Sequence, residues 1–186
     1  MEKALYLLAE LSERDFDWFV QNGELVQIAS GQPLIKEGDP INAIYLVLEG
    51  TLAVTVNALK EHEIARLSAG EIVGEMSFVD ERAPSATVSA LDQVQVWKIP
   101  RVKLLQKLSN DRSFAANFYQ AIAIWLSHRL RGTISRWGYA YGYGKEESPA
   151  IAASDDAPVQ ASDGLEIARI RLDWLFSRLK DVKDIR

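Results

Sequence analysis

Cysteine is absent from the 186-residue chain, and histidine occurs only twice, at His62 and His128. The lack of cysteine excludes disulfides, thiol catalysis and thiolate metal sites. A metal-dependent enzyme built on a β-barrel needs clustered histidine and carboxylate ligands, which two histidines far apart in the sequence do not provide. The chain also lacks a P-loop motif, a dinucleotide-binding glycine motif and a Ser-His-Asp arrangement. We therefore expect a non-catalytic protein with no metal site.

Long hydrophobic runs and an excess of positive charge are also missing. The apolar stretch near the N-terminus is interrupted by Glu10, and it is too short for a membrane span and lacks the cleavage region of a signal peptide. Lysine and arginine number 21 against 26 aspartates and glutamates, which gives a formal net charge of -5. This acidic balance gives no support for nucleic-acid binding. We expect a cytoplasmic protein that binds neither DNA nor membrane.

The middle of the chain, residues 24–108, has the pattern of a β-structure. Short β-rich runs alternate with turn signals that contain glycine or proline. Two of these runs flank Glu49-Gly50, a pattern typical of a tight hairpin. Strands of this number and spacing predict a jelly-roll-like β-roll, also called a double-stranded β-helix. The predicted strands are 25–28, 34–35, 43–48, 51–56, 63–67, 86–90 and 93–99.

Helical spacing is found on both sides of this segment. Residues 1–23 are predicted to be helical, and Ser12 has the pattern of a capping residue. After the roll, apolar residues at steps of three and four predict a long helix over 109–137. A flexible linker is predicted over 138–162 and an amphipathic tail helix over 163–186. The apolar seam of this tail, called the tail seam below, comprises Leu165, Ala168, Leu172, Leu175, Leu179 and Val182. The predicted fold is therefore mainly β with flanking helices: a β-roll, then a long α-helix, then a C-terminal amphipathic helix.

Residues 70–88 read GEIVGEMSFVDERAPSATV, in which Gly74-Glu75 is followed by Ser85-Ala86-Thr87. Set among the predicted strands, this pattern resembles the phosphate-binding cassette of the cyclic-nucleotide-binding domain family. The family includes domains of the catabolite activator type and of the regulatory subunit of cyclic-AMP-dependent protein kinase. The resemblance covers roughly residues 10–136. It implies a β-roll whose ligand is cAMP or cGMP, and no other cofactor is assigned.

The resemblance also implies roles for individual residues of the cassette. Gly74 lets the ligand approach the backbone, since a Cβ would hold it off. Glu75 accepts a hydrogen bond from the ribose 2′-hydroxyl. Ser85, Ala86 and Thr87 form the corner that binds the phosphate. The short helix that follows Gly74 points free N–H groups at an anion.

The chain departs from the family at the arginine that binds the cyclic phosphate. Pro84 stands in its place and has neither a charge nor an N–H group. A hydrogen bond to a charged group contributes about 1.5–3 kcal/mol, so its loss weakens binding roughly tenfold to more than a hundredfold. Arg82 is the nearby candidate for the phosphate, with a solvated loop charge as the alternative. Met76, Phe78 and Val79 are predicted to be core residues.

Two functions remain open at this point. The first is a regulatory or sensor protein that binds a cyclic nucleotide, or another small anionic ligand, and signals through its C-terminal helices. The second is a degenerate roll that acts as an adaptor for protein assembly without binding nucleotide. In both, we expect a protein partner or a homodimer through the long helix and the tail seam. A DNA-binding regulator is disfavoured, because the tail is too short for a helix-turn-helix domain.

Overall fold

A computed structural model of the chain describes residues 12–59, 62–140, 170, 171, 173 and 174, and over 135–140 it describes the backbone alone. The predicted helix before residue 12, the linker beyond residue 140 and the tail seam lie outside these residues. Among the helices described, none is long and apolar enough to cross a membrane.

The β-roll is built from two antiparallel sheets with an apolar core between them. Over the described residues the strands are β1 (Glu24–Ile28), β2 (Pro33–Ile35), β3 (Ala43–Glu49), β4 (Thr51–Val56), β5 (His62–Ser68), β6 (Ile72–Val73), β7 (Thr87–Ala90) and β8 (Val94–Pro100). The first sheet has the order β1-β8-β3-β6 and the second has the order β2-β7-β4-β5. Leu52 and Val88 of the second sheet share one core with Val47 and Val96 of the first. The predicted fold class is confirmed.

Strand β3 is buried on both faces because it lies between two apolar cores. Ile44, Leu46 and Leu48 belong to the core shared with the helices. Tyr45 and Val47 belong to the core inside the roll. Successive side chains of a strand point to opposite faces. The uninterrupted apolar run in the sequence therefore reflects a strand covered by the second sheet on one face and by helices on the other.

The turn at Glu49-Gly50 connects the two sheets, so the prediction of a hairpin there was wrong. Strand β3 pairs with β6 and β8, whereas β4 pairs with β5 and β7. Gly50 has a φ of +89°, and a Cβ there would lie 2.6 Å from the carbonyl oxygen of Gln93. Two apolar runs joined by glycine have the same local pattern whether the two strands pair with each other or belong to different sheets. Only the long-range pairing distinguishes the two arrangements.

A layer of helices covers the outer face of the first sheet. The described helices are α1 (Glu13–Asn22), α2 (Glu75–Asp80), α3 (Arg101–Asn110) and α4 (Arg112–Ala140), with a 3₁₀ turn at Asn57–Leu59. The N-terminus of α1 is capped as predicted, since Ser12 accepts from the backbone N–H of Asp15 at 3.2 Å. The indole of Trp97 on β8 donates to the carbonyl oxygen of Phe19 at 3.1 Å. This bond fixes α1 to the sheet.

The long helix α4 differs from its prediction at its C-terminal half. The prediction ended it at 137, but the backbone stays helical to Ala140 and includes Gly138. One glycine costs about 1 kcal/mol relative to alanine in a helix, which is too little to end one by itself. Phe118 is fully buried, whereas Leu130 and Ile134 from the same predicted stripe are 61% and 55% exposed. The apolar stripe is therefore covered by the roll only in its first half.

Candidate functional site

The cassette begins where β6 ends at Gly74, the residue that caps α2. Gly74 has a φ of +89°, a left-handed conformation that glycine adopts without strain. A Cβ at this position would lie 2.9 Å from the side chain of Ile41 and 3.1 Å from the carbonyl oxygen of Ala43. The wall of the roll therefore already requires glycine here. A ligand approaching the backbone is not needed to explain it.

Helix α2 is only half buried, and two of its three predicted core residues are not in the core. Phe78 is buried and contacts Phe118 of α4, with ring centroids 5.7 Å apart. Met76 and Val79 are 50% and 45% exposed, so that part of the prediction was wrong. In a helix of six residues, positions one apart point in different directions. The apolar run MSFV therefore places only Phe78 of these three against α4.

Glu75, the residue at the family's ribose-binding position, is in contact with the long helix. Its side chain is 2% exposed, and its Oε1 accepts a hydrogen bond from Nη1 of Arg129 at 2.6 Å. Arg129 lies on α4, and its side chain is 30% exposed. An ion pair of this kind offsets part of the large cost of burying a carboxylate. In this structure Glu75 therefore joins the cassette to α4.

The surroundings of the Glu75 carboxyl have opposing effects on its pKa. Burial raises the pKa of Glu75 above its ordinary value of 4.5, and the guanidinium of Arg129 opposes this rise. The indole N–H of Trp125 also lowers the pKa of Glu75 by its approach to the carboxylate, although it does not reach hydrogen-bond geometry with any of the described residues. The corner thus contains a carboxylate, a guanidinium and an indole N–H.

The loop after α2 places Pro84 and Arg82 differently. The carbonyl oxygen of Pro84 accepts from the backbone N–H of Gly38 at 2.9 Å, so Pro84 is held against the turn that follows β2. Arg82 has an exposed side chain, and its backbone N–H donates to the carboxylate of Asp80 at 3.1 Å. Among the residues that the structure describes, no contact holds the guanidinium of Arg82 at the cassette. Its placement favours the solvated loop charge.

The remaining predicted residues, Ser85, Ala86 and Thr87, lead into β7. Ser85 is exposed and Ala86 is partly buried. The hydroxyl oxygen of Thr87 accepts from the backbone N–H of Glu37 at 3.1 Å. This hydroxyl therefore stabilises a turn distant in the sequence, and it retains its own proton for donation to a ligand.

Ile35 of β2 borders both halves of the predicted cassette. It pairs with Val88 in the sheet, next to Thr87. Its side chain lies 3.6 Å from the Cβ position of Gly74. The turn at Gly74 and the start of β7 therefore neighbour the same residue of the roll.

Two arginines at the cassette were missed by the sequence analysis. Arg101 donates to the carbonyl oxygen of Ser77 at 3.1 Å, lies 3.4 Å from Glu81, and its guanidinium sits 5.0 Å from the ring centre of Phe78. It therefore holds the C-terminal end of α2. Arg129 was missed although it follows Trp125 by four residues and so continues the buried face of α4. An arginine on a buried face requires a partner, which was the available signal.

Comparisons with known proteins show what the chain is similar to. Residues 25–111 match the family model for the cyclic nucleotide-binding domain. A lysophospholipase of Neurospora crassa is 40% identical over 81 residues, which are 42% of this chain and 5% of that protein. A cGMP-dependent protein kinase of Caenorhabditis briggsae is 30% identical over 99 residues, which are 51% of this chain and 13% of that protein. The chain thus spans only a small part of the length of these relatives.

Solved structures show the same architecture. The crystal structure of the Thermus thermophilus catabolite activator protein superposes with a TM-score of 0.59 at 26% identity, covering 73% of this chain and 63% of that one. A cyclic nucleotide-binding domain from Methylobacillus flagellatus gives a TM-score of 0.66 at 24% identity, covering 73% and 80% of the two chains. The resemblance based on the Gly74–Thr87 pattern is confirmed. Residues 25–111 of this chain therefore match the model of the cyclic nucleotide-binding domain family, and the chain has the β-roll fold of the catabolite activator protein.

Proposed function

We propose that this chain is a non-catalytic, cytoplasmic regulatory module whose cassette binds cAMP, cGMP or another small anionic ligand and whose helix α4 responds to that ligand. The observation that carries the proposal is the ion pair between Glu75 and Arg129. It connects the family's ribose-binding position directly to the long helix. A change at the cassette therefore has a physical route to α4.

Burial of Glu75 supports a ligand-dependent change in the position of α4. A side chain that is 2% exposed is out of reach of a ligand while Arg129 covers it. Binding to the carboxylate requires either that the segment of α4 around Arg129 moves away or that Glu75 rotates out. The ligand then stabilises the open arrangement by its higher affinity for it. The arrangement described is thus proposed to be the closed, ligand-free one.

Pro84 stands where the family's arginine would bind the phosphate, so the cassette is expected to bind a small anionic ligand only weakly. Arg82 lies in the same loop, and its exposed side chain favours a solvated charge.

The exposed half of α4 supports the second part of the proposal, a protein partner or a homodimer. Leu130 and Ile134 lie one turn apart, and both are more than half exposed. Apolar side chains at this spacing form a stripe that a second helix covers. The tail seam is proposed to extend the same interface. Sedimentation of the parent and of a Leu130→Ser/Ile134→Ser variant tests it, because a dimer through α4 dissociates in the variant.

Calorimetric titration with cAMP and cGMP tests ligand binding, with 5′-AMP as the control ligand. We expect weak binding by the parent chain. Arg129→Gln should bind about tenfold more tightly, since the cover over Glu75 opens, and Glu75→Gln should bind about tenfold more weakly. Silence of all three proteins at millimolar nucleotide would contradict the cyclic-nucleotide proposal and would favour the adaptor.

A further inference from the structure

Two residues of the C-terminal tail contact helix α1. The rings of Trp174 and Phe16 meet edge to face, with centroids 5.6 Å apart. The guanidinium of Arg171 lies 5.6 Å from the centre of the same Phe16 ring. Residues 170, 171, 173 and 174 are helical, so Arg171 and Trp174, three positions apart, lie on the same face. One aromatic ring of α1 therefore receives both an indole and a guanidinium.

The charges at this contact are complementary. Glu13 and Asp15 lie in the first turn of α1 and favour the charged form of Arg171. Arg171 is partly buried, and this burial lowers the pKa of its guanidinium. A guanidinium over an aromatic ring with nearby carboxylates combines cation–π and ionic attraction. This surface of α1, defined by Glu13, Asp15 and Phe16, is called the α1 patch below.

The α1 patch is rigidly connected to the helices that surround the cassette. Asp15 lies 3.9 Å from Nζ of Lys107 on α3. Trp18 contacts Phe114 of α4, with ring centroids 5.4 Å apart. The patch is therefore continuous with the apolar core that carries α4, and a helix seated on it adds to the same layer.

We propose that the α1 patch is a docking surface for a helix that carries an arginine and a tryptophan three residues apart, and that its occupant is this chain's own tail through Arg171 and Trp174. The contacts above are those of the tail itself. This inference does not depend on whether the cassette binds a nucleotide.

The absence of cysteine allows a direct distance measurement, because two introduced cysteines are the only thiols for spin labels. Gln21→Cys on α1 and Asp173→Cys on the tail are both at exposed positions. Electron–electron double resonance of the doubly labelled full chain should give one short, narrow distance. Dilution with unlabelled chain should leave it unchanged, because the two labels belong to one molecule. A broad distribution, or loss of the coupling on dilution, would overturn docking by the chain's own tail; the second result would identify a second copy as the occupant.

Variants then test the residues named. Trp174→Ala should reduce the equilibrium constant for docking about two- to tenfold, the range expected for one aromatic pair, and so increase the population of long distances. Ile170→Ala is the matched control, since Ile170 is exposed, and it should leave the distance unchanged. Arg171→Glu should release the tail, and adding Glu13→Arg should restore docking. A Trp174→Ala protein with an unchanged distance, or a charge exchange without rescue, contradicts the proposal.

Discussion

Arg129 of α4 donates a hydrogen bond to Glu75 of the cassette across 2.6 Å, so the long helix covers the residue at the family's ribose-binding position. The two residues are 54 positions apart in the sequence. Under the proposed function, we expect both the stability of the closed arrangement and the access of a ligand to the cassette to depend on this pair.

Arg129→Ala should lower the free energy of unfolding by about 3 kcal/mol, because it leaves a buried carboxylate without its partner. Arg131→Ala is the matched control on the same helix, at an exposed position, and should change stability by less than about 0.5 kcal/mol. Urea unfolding of the three proteins at neutral pH measures both effects. Equal costs for the two variants would show that the Glu75–Arg129 pair does not stabilise the fold.

The stability difference between the parent chain and Glu75→Gln should depend on pH. Burial raises the pKa of Glu75 in the folded chain above the ordinary value of 4.5, so the folded state holds its proton at a pH where the unfolded state has lost it. The parent is therefore stabilised relative to the variant below the ordinary value, and this advantage declines as pH rises through the folded pKa. Unfolding free energies measured from about pH 4 to pH 8 check this. A difference that grows with pH would mean that Arg129 outweighs burial.

Gly74→Ala should destabilise the chain by about 1–3 kcal/mol, because φ is positive and the new Cβ meets Ile41 and the carbonyl oxygen of Ala43. Gly132→Ala is the same substitution in helix α4, where a Cβ meets nothing within 4 Å. It should stabilise the chain by about 1 kcal/mol. Thermal unfolding compares the two variants. A neutral Gly74→Ala variant would contradict the proposed role of Gly74 in the wall of the roll.

Pro84→Arg should increase the affinity for cAMP about tenfold or more, because it restores a cation at the position of the family's arginine. The carbonyl group of residue 84 can still accept from Gly38, so the loop is expected to keep its path. Ala83→Arg adds the same charge one residue earlier, at an exposed position, and serves as the control. Calorimetric titration should show tighter binding for Pro84→Arg only. Equal gains in both variants would indicate a general effect of charge.

Much of the roll was predictable because local signals determine it. The Ser12 cap and the strands around Val54 and Val96 depend on neighbouring residues. The sheet change at Gly50 was not predictable, because the pairing partners of β3 and β4 are distant in the sequence. The exposure of Met76 was missed for a related reason. An apolar run in the sequence does not show how many of its residues α4 will cover.

The site itself was only half predictable. The sequence pattern singled out Gly74, Glu75 and Thr87, and in the structure Gly74 and the residue after Thr87 both border Ile35. The partner of Glu75 comes from another element, and its position depends on how α4 packs across α2. The remaining signal was Arg129, which lies four residues after Trp125 on the buried face of α4. This signal indicates a buried charge but does not identify its partner.

The indole N–H of Trp125 is the most direct probe of this corner, because it lies beside Glu75 and has no hydrogen-bond partner among the described residues. Its ¹H–¹⁵N signal, assigned with Trp125→Phe, should be followed while cAMP and cGMP are added. We predict a saturable shift in the parent chain, and saturation at lower nucleotide concentration in Arg129→Gln. A signal that stays in place at millimolar concentrations of both nucleotides, in the parent and in Arg129→Gln alike, would contradict the proposed coupling of the cassette to α4.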